Sequence, residues 1–327
     1  MEINYRKGQR VARKPILRKT GALFPGMEQT PLVFGGRMIW IESVSDFTQR
    51  DVKKQFCIRA RDYRSGRVYP AFGHGFPFAS AYTENGVVYV FCTSLRDDRP
   101  LTMYQGDDPS RWHDPRGGSS VMMFWSSDLT NWQSKEILRV PGWRMWNTSV
   151  CRGAQGYAMA IEVGGEGMKE IAGQGFTSFF ARSENMMHWE MMDDGCCYTR
   201  GRYNACPALR YTDGWYYMIC TEALPVVRYA PYIYRTQNFR DWEVSVHNPV
   251  MLFGDEDRTP HPLSSFTEEE KYLLETGVNI NNSDVDLCEF GGKTYIYYGN
   301  GDQMTYSFVC EAVYDGPLDA FLKGFFE

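Results

Sequence analysis

Along this chain, short apolar runs break at glycine-centred turns and resume at once as aromatic runs. Thr30-Pro31-Leu32-Val33-Phe34 leads through Gly35-Gly36 into Arg37-Met38-Ile39-Trp40. The same opening returns at Ser80 to Tyr89 around Asn85-Gly86 and at Asn147 to Ala158 around Gly156. It returns again at Asn204 to Tyr217 around Asp213-Gly214 and at Asn282 to Tyr297 around Gly291-Gly292. Paired apolar runs joined by Asn-Gly, Asp-Gly or Gly-Gly predict tight β-hairpins, because both central residues of such turns take positive φ.

Three of the openings are followed by one further signature. It reads Ser126-x-Asp128-x-x-x-Trp132, Ser183-x-Asn185-x-x-x-Trp189 and Thr236-x-Asn238-x-x-x-Trp242. A hydroxyl two residues before Asp or Asn suits a turn, since both side chains can accept from nearby backbone N–H groups. The tryptophan then packs back over the turn, which is a structural task that its repetition explains. Recurrence at roughly fifty residues in a strand-rich chain predicts a β-propeller. The expected fold is all-β, a single five-bladed propeller of roughly four antiparallel strands per blade. Blades are expected at about 24–70, 74–140, 143–197, 201–250 and 278–321, with residues 1–23 an exposed arm or a first edge strand. Long polar interruptions at 95–119 and 253–278, the second with a short helix over 266–276, are expected to shape or cover a site.

Composition agrees with a large aromatic core: 43% of the 327 residues are hydrophobic and 15% aromatic. A net charge of −5 gives no bulk electrostatic case for nucleic acid as a partner, although the first twenty residues are locally basic. No apolar leader opens the chain and no stretch approaches a membrane span, so a cytoplasmic protein without a membrane partner is expected. The nine cysteines are odd in number and lie mostly in apolar runs, which fits reduced buried thiols. They form no zinc-spaced cluster, so no metal site is assigned. Gly164-Gly165-Glu166-Gly167 is not followed by Lys-Ser/Thr and is no phosphate loop.

In a propeller the innermost strand of each blade starts at one end of the channel, and the next strand returns there. Strand starts therefore bring Glu28, Thr30, Ser80, Asn147, Asn204, Cys206, Asn282, Asp284 and Asp286 to one face, and second-strand ends bring Glu42, Glu162, Glu222 and Asn300. So many acids on one face are costly unless solvated, paired or used. Two carboxyls across a cleft, one ionised and one holding its proton, are what glycoside hydrolysis requires. Trp143, Trp146, Tyr203 and Phe76 flank the strand starts as platforms for sugar rings.

These turns, repeats and strand openings make residues 25–320 similar to the five-bladed propeller glycosidases of families 43 and 32 and their relatives. The resemblance implies an oligosaccharide or glycoside substrate and an inverting reaction. Family 43 carries Asp-Pro at the first inner strand and Glu-Gly-Pro in a later blade. Here Thr30-Pro31 and Cys206-Pro207 stand near those places, so the family's catalytic residues do not transfer by position.

The expectation is thus an exo-acting, inverting glycoside hydrolase with Asp284 and Asp286 jointly supplying the base, since residues i and i+2 of a strand share a face. Glu222 or Glu162 would supply the acid. Glu42, His74, Arg144, Trp146, Asn147, Asn204, His261, Asn282 and Asp302, with Gln303, are the expected substrate binders. No cofactor is expected, with a channel cation such as calcium the alternative use of the acids. Two other functions stay open. A glycoside phosphorylase would use Arg144, Arg202, Arg258 and His261 to hold phosphate, and a carbohydrate-binding propeller would cleave nothing. Sequence does not fix the oligomeric state.

Overall fold

The computed structural model describes residues 14–46, 48–49, 51–97, 114–225, 228–302 and 306–327. The arm through residue 13, residues 98–113 of the first long interruption, and Gln303 lie outside the described residues. Five antiparallel sheets form the ring. The chain enters through β1 (Arg18–Pro25), then builds the first blade from β2 (Gln29–Phe34), β3 (Arg37–Ser45) and β4 (Phe56–Asp62). The second holds β5 (Ser80–Glu84), β6 (Val87–Thr93), β7 (Ser120–Ser126) and β8 (Gln133–Arg139). The third holds β9 (Met145–Gly153), β10 (Gly156–Gly164), β11 (Phe176–Ser183) and β12 (Glu190–Met191). The fourth holds β13 (Asn204–Thr212), β14 (Trp215–Leu224), β15 (Arg228–Thr236) and β16 (Trp242–Val244). The fifth holds β17 (Ser283–Phe290), β18 (Lys293–Gly301) and β19 (Ser307–Tyr314). The innermost strands β2, β5, β9, β13 and β17 each contact the next around the ring, and β17 returns to β2.

Two features depart from the reading of sequence. The first blade has three strands, its β4 edge being bridged at Ile58–Phe72 and Arg61–Val68 rather than by a fourth full strand. Residues 18–25 are an edge strand, but of the last blade: β1 pairs antiparallel with β19 from Arg18–Val313 to Pro25–Phe308. This closes the ring by joining its two ends. The segment 253–278 reinforces the closure. Lys19 on β1 meets the buried Asp257 carboxylate at 2.6 Å, and the Tyr298 hydroxyl donates to the same carboxylate at 2.6 Å. The helix expected over 266–276 forms at Glu268–Thr276, with Thr267 capping it through the Glu270 N–H. Among the described residues no helix is long and apolar enough to cross a membrane.

The repeated tryptophan signature works as its chemistry suggests. In the third blade the Ser183 hydroxyl accepts from the N–H groups of Asn185 and Met186, and the Asn185 side-chain oxygen Oδ1 accepts from those of Met187 and His188. Trp189 then donates its indole N–H to the Met186 carbonyl at 2.7 Å. The hydroxyls of Ser126 and Thr236, with Trp132 and Trp242, repeat the arrangement. Leu129, Met186 and Phe239 take φ of 64°, 62° and 61°, a left-handed turn that the side-chain bonds hold in place. Trp189 is buried between the second and third blades, against Phe91. Trp189→Ala is therefore expected to cost about 3–5 kcal/mol, read as a lower urea midpoint, whereas the more exposed Trp132 costs less when truncated.

Candidate active site

Three acids from three blades converge at one mouth of the channel. Glu28 lies just before β2, Glu162 near the end of β10, and Asp284 near the start of β17. Glu28 and Asp284 line a small cavity there with Gln29, Ser80, Asn147 and Cys206. Asn147 Nδ2 donates to Glu162 Oε2 at 3.0 Å, as does the Cys206 backbone N–H at 2.8 Å. The Cys206 thiol donates to Asp284 Oδ1 at 2.9 Å, and Ser283 Oγ donates to Asp284 Oδ2. Glu162 and Asp284 are thus linked through one residue.

Local backbone geometry makes this convergence. Cys206 and Asp284 have φ of 51° and 52°, in the left-handed region that side-chain-bearing residues seldom enter. Both lie in β-bulges, between Ala205 and Ala208 on β13 and between Ser283 and Asp286 on β17. A bulge breaks the two-residue alternation and re-aims a side chain. Asp284 and Asp286 both line the cavity, as their spacing suggests, but the bulge gives them different partners. Asp284 reaches the thiol, whereas the Asp286 carboxylate forms an ion pair with Arg210 and accepts from the Leu287 N–H at 2.8 Å.

Burial dominates the electrostatics of the cluster. It pushes Glu162 up to about 7, opposed by the bonds from Asn147 and Cys206 and assisted by the Asp284 charge. Burial also holds Glu28 well above the usual carboxylate range, assisted by Asp284 and opposed by Arg116. The Cys206 thiol is raised by burial and by Asp284, Glu162 and Glu28, so it keeps its proton as a donor. A carboxyl raised from its ordinary 4.5 to about 7 keeps in the folded state a proton that the unfolded chain releases earlier. Its contribution to stability is complete below the unfolded value and is lost as pH rises through the folded one. Glu162 alone accounts for roughly 3 kcal/mol of that change. Thermal unfolding is accordingly expected at lower temperature at pH 8 than at pH 5, with the difference smaller in Glu162→Gln.

An arc of rings borders this mouth. Phe78 contacts Trp146 at 5.4 Å, Trp146 contacts Phe176 at 5.5 Å, Phe176 contacts Tyr203 at 5.5 Å, and Tyr203 contacts Tyr229 at 5.6 Å. Arg116 lies over Phe78 and Arg144 over Trp146 at 5.3 and 4.9 Å. Arg116 is held bidentately by Asp114, at 2.9 and 2.7 Å. Sequence reasoning named Trp146 and Tyr203 but placed Trp143 and Phe76 beside them. Those two pack instead on Phe179 and Phe124. Arg116 lies in a loop, and Phe176 and Tyr229 lie at the starts of β11 and β15, away from the hairpin and tryptophan signatures, so none of the three carried a signal.

The remaining candidates are dispersed. Glu222 is buried beside Tyr234, whose hydroxyl donates to it, and Arg202 Nε at 3.3 Å; burial raises its carboxyl. Glu42 is bound by Arg59 and Arg61. His74 is exposed in a turn of the 71–79 loop. Asn204 is fully buried and pairs across the sheet with Glu222. Asn282 joins Asp257 and Lys19. His261 faces Glu311 at 3.3 Å, and Asp302 accepts from the Tyr306 N–H. Arg258 caps the carbonyls of Glu275 and Gly277. Arg144, Arg202, Arg258 and His261 are thus each committed to a different neighbourhood rather than to one phosphate site. The segment 253–278, expected as a lid, contributes no residue to the acid-lined cavity and packs on β1 and the fifth blade instead. No group of three His, Cys, Asp or Glu side chains among the described residues is placed to hold a metal ion.

No sequence-family description matches the chain, and no curated protein does. Solved structures do match. An α-L-arabinofuranosidase from Podospora anserina, solved with cellotriose, superposes with a TM-score of 0.60 at 10% identity, covering 94% of this chain and 99% of that one. A family 32 β-fructofuranosidase from Bombyx mori gives 0.52 at 10% identity over 90% and 61%. A family 43 protein from Bacillus licheniformis gives 0.53 at 14% over 88% of this chain, which spans about half of that one, 52%. At such identities the likeness is one of fold: the chain is a five-bladed β-propeller of the architecture shared by these glycoside hydrolases.

Proposed function

We propose that this protein is a glycoside hydrolase, exo-acting and inverting, that cleaves an oligosaccharide or glycoside at the three-acid mouth. The observation that carries the reading is the buried Glu162, held at about 7 and linked through Cys206 to a second carboxyl, Asp284. A carboxyl with that affinity is still substantially protonated at neutral pH and can protonate a leaving glycosidic oxygen. Asp284, hydrogen-bonded at both oxygens, is the base that takes a proton from the attacking water. Glu162 takes the acid role rather than Glu222, because Tyr234 and Arg202 already engage Glu222. Asp284 takes the base role rather than Asp286, because Arg210 holds Asp286. Glu28, whose proton affinity burial raises, stands beside them and in its protonated form offers a donor to a sugar hydroxyl. The faces and edges of the aromatic arc suit the apolar faces of sugar rings.

The similar fold of glycosidases from three organisms supports the same substrate class. Sugar release from a panel of aryl glycosides and oligosaccharides, with and without phosphate, tests the reading. Turnover by the wild type, independent of phosphate, and its loss in Glu162→Gln are expected. Phosphate-dependent turnover would make it a phosphorylase, and sugar binding without cleavage would make it a binding protein.

A further inference from the structure

We infer that Cys206 is a positioning residue that sets which of the two carboxyls is ionised, by giving its single thiol proton to Asp284 while its backbone N–H serves Glu162. The inference rests on the hydrolase reading for its catalytic meaning, but not for its physical content. Two donors of one residue address two acids: the N–H reaches Glu162 Oε2 at 2.8 Å and the thiol reaches Asp284 Oδ1 at 2.9 Å. The bulge on β13 and the φ of 51° at Cys206 are what aim both donors into one space. Asn147 Nδ2 completes the bridge, 3.0 Å from Glu162 Oε2 and 3.4 Å from the Cys206 sulfur.

The consequence follows from counting protons. A thiol donates one hydrogen bond, so only one of the flanking acids can receive it. A hydrogen bond to the charged form of an acid lowers its proton affinity. Given to Asp284, the thiol proton favours an ionised Asp284, and the unfavourable proximity of charge then favours a protonated Glu162. Other groups face Asp284 as well: Glu28 from the first blade, Glu162 from the third, Tyr203 from the approach to β13, and the Ser283 hydroxyl, while the Asp284 backbone N–H donates to Thr221 Oγ1. Arg116 acts on the same cluster through Glu28. Of these, Glu162 and Tyr203 also feel the Cys206 side chain, whereas Glu28, Ser283, Thr221 and Arg116 keep their own contacts to the cluster when position 206 changes. Serine keeps an O–H donor at the same place, and alanine removes it while leaving the backbone N–H to Glu162.

The test compares wild type, Cys206→Ala and Cys206→Ser in two readouts. In the pH profile of kcat/KM, the acid limb reports protonation of Asp284 and the alkaline limb ionisation of Glu162. Cys206→Ala is expected to move the acid limb up by about one pH unit, with Cys206→Ser returning it towards wild type. An acid limb unmoved in Cys206→Ala, or a serine variant no closer to wild type than alanine, overturns the inference. Infrared titration of the Asp284 carboxylate, identified by its loss in Asp284→Asn, reads the same shift without any turnover. A wild type that cleaves nothing would defeat the hydrolase reading alone. An Asp284 band that titrates identically with and without the thiol would defeat the role of Cys206 alone.

Discussion

Glu162→Gln is expected to lower kcat/KM by about a thousandfold on a glycoside with a poor leaving group. On an aryl glycoside whose phenol leaves readily, the same change should cost far less. This contrast follows from the role. Protonating the departing oxygen matters in proportion to how basic that oxygen becomes, and an activated phenolate needs little help. Glutamine keeps the shape of the side chain and can still accept from Asn147 and the Cys206 N–H, the two donors that hold Glu162. The loss therefore reads the missing proton rather than a collapsed site. Equal losses across leaving groups would assign Glu162 to binding instead.

Asp284→Asn should lose activity to a similar degree, by about a thousandfold, but on good and poor leaving groups alike. A base acts on the attacking water, whose activation is needed whatever departs. The companion change at Asp286 separates the two aspartates. Asp286→Asn weakens the ion pair to Arg210, so its expected effect is on stability, about 1–3 kcal/mol in chemical unfolding, with most of kcat retained. A catalytic loss in Asp286→Asn equal to that in Asp284→Asn would return both to the base role that their spacing first suggested.

The history of that pair marks the boundary between what the chain makes legible and what it hides. The hairpin turns and the Ser-x-Asp/Asn-x-x-x-Trp signature are local, so five blades and their order could be read directly. So could the placing of Glu162, Asn147, Cys206 and Asp284 on one mouth, since inner-strand starts and second-strand ends share it in any propeller. Glu28 was also placed there, without a role. What could not be read was the orientation of individual side chains. The alternation rule put Asp284 and Asp286 on one side and both line the cavity, but a bulge with φ of 52° at Asp284 gives one the thiol and the other Arg210 as partner. Pairing at long range left no local trace either. Nothing in residues 18–25 announces that their partner is β19, almost the whole chain away, and the second long interruption looks like a lid until Asp257 is seen anchoring Lys19. Arg116, which tempers Glu28, lies in a loop with no periodicity to distinguish it from its neighbours.

In the proposed reaction, turnover depends on one proton held by Glu162 at neutral pH. The pH dependence of kcat/KM, measured for wild type and Glu162→Gln on whichever glycoside turns over, tests it most directly. The predicted wild-type profile falls on its alkaline side with an apparent value of about 7, and that limb is absent from the glutamine variant. A wild type whose activity stays level well above that pH, or a glutamine variant that keeps the same alkaline limb, would contradict the assignment.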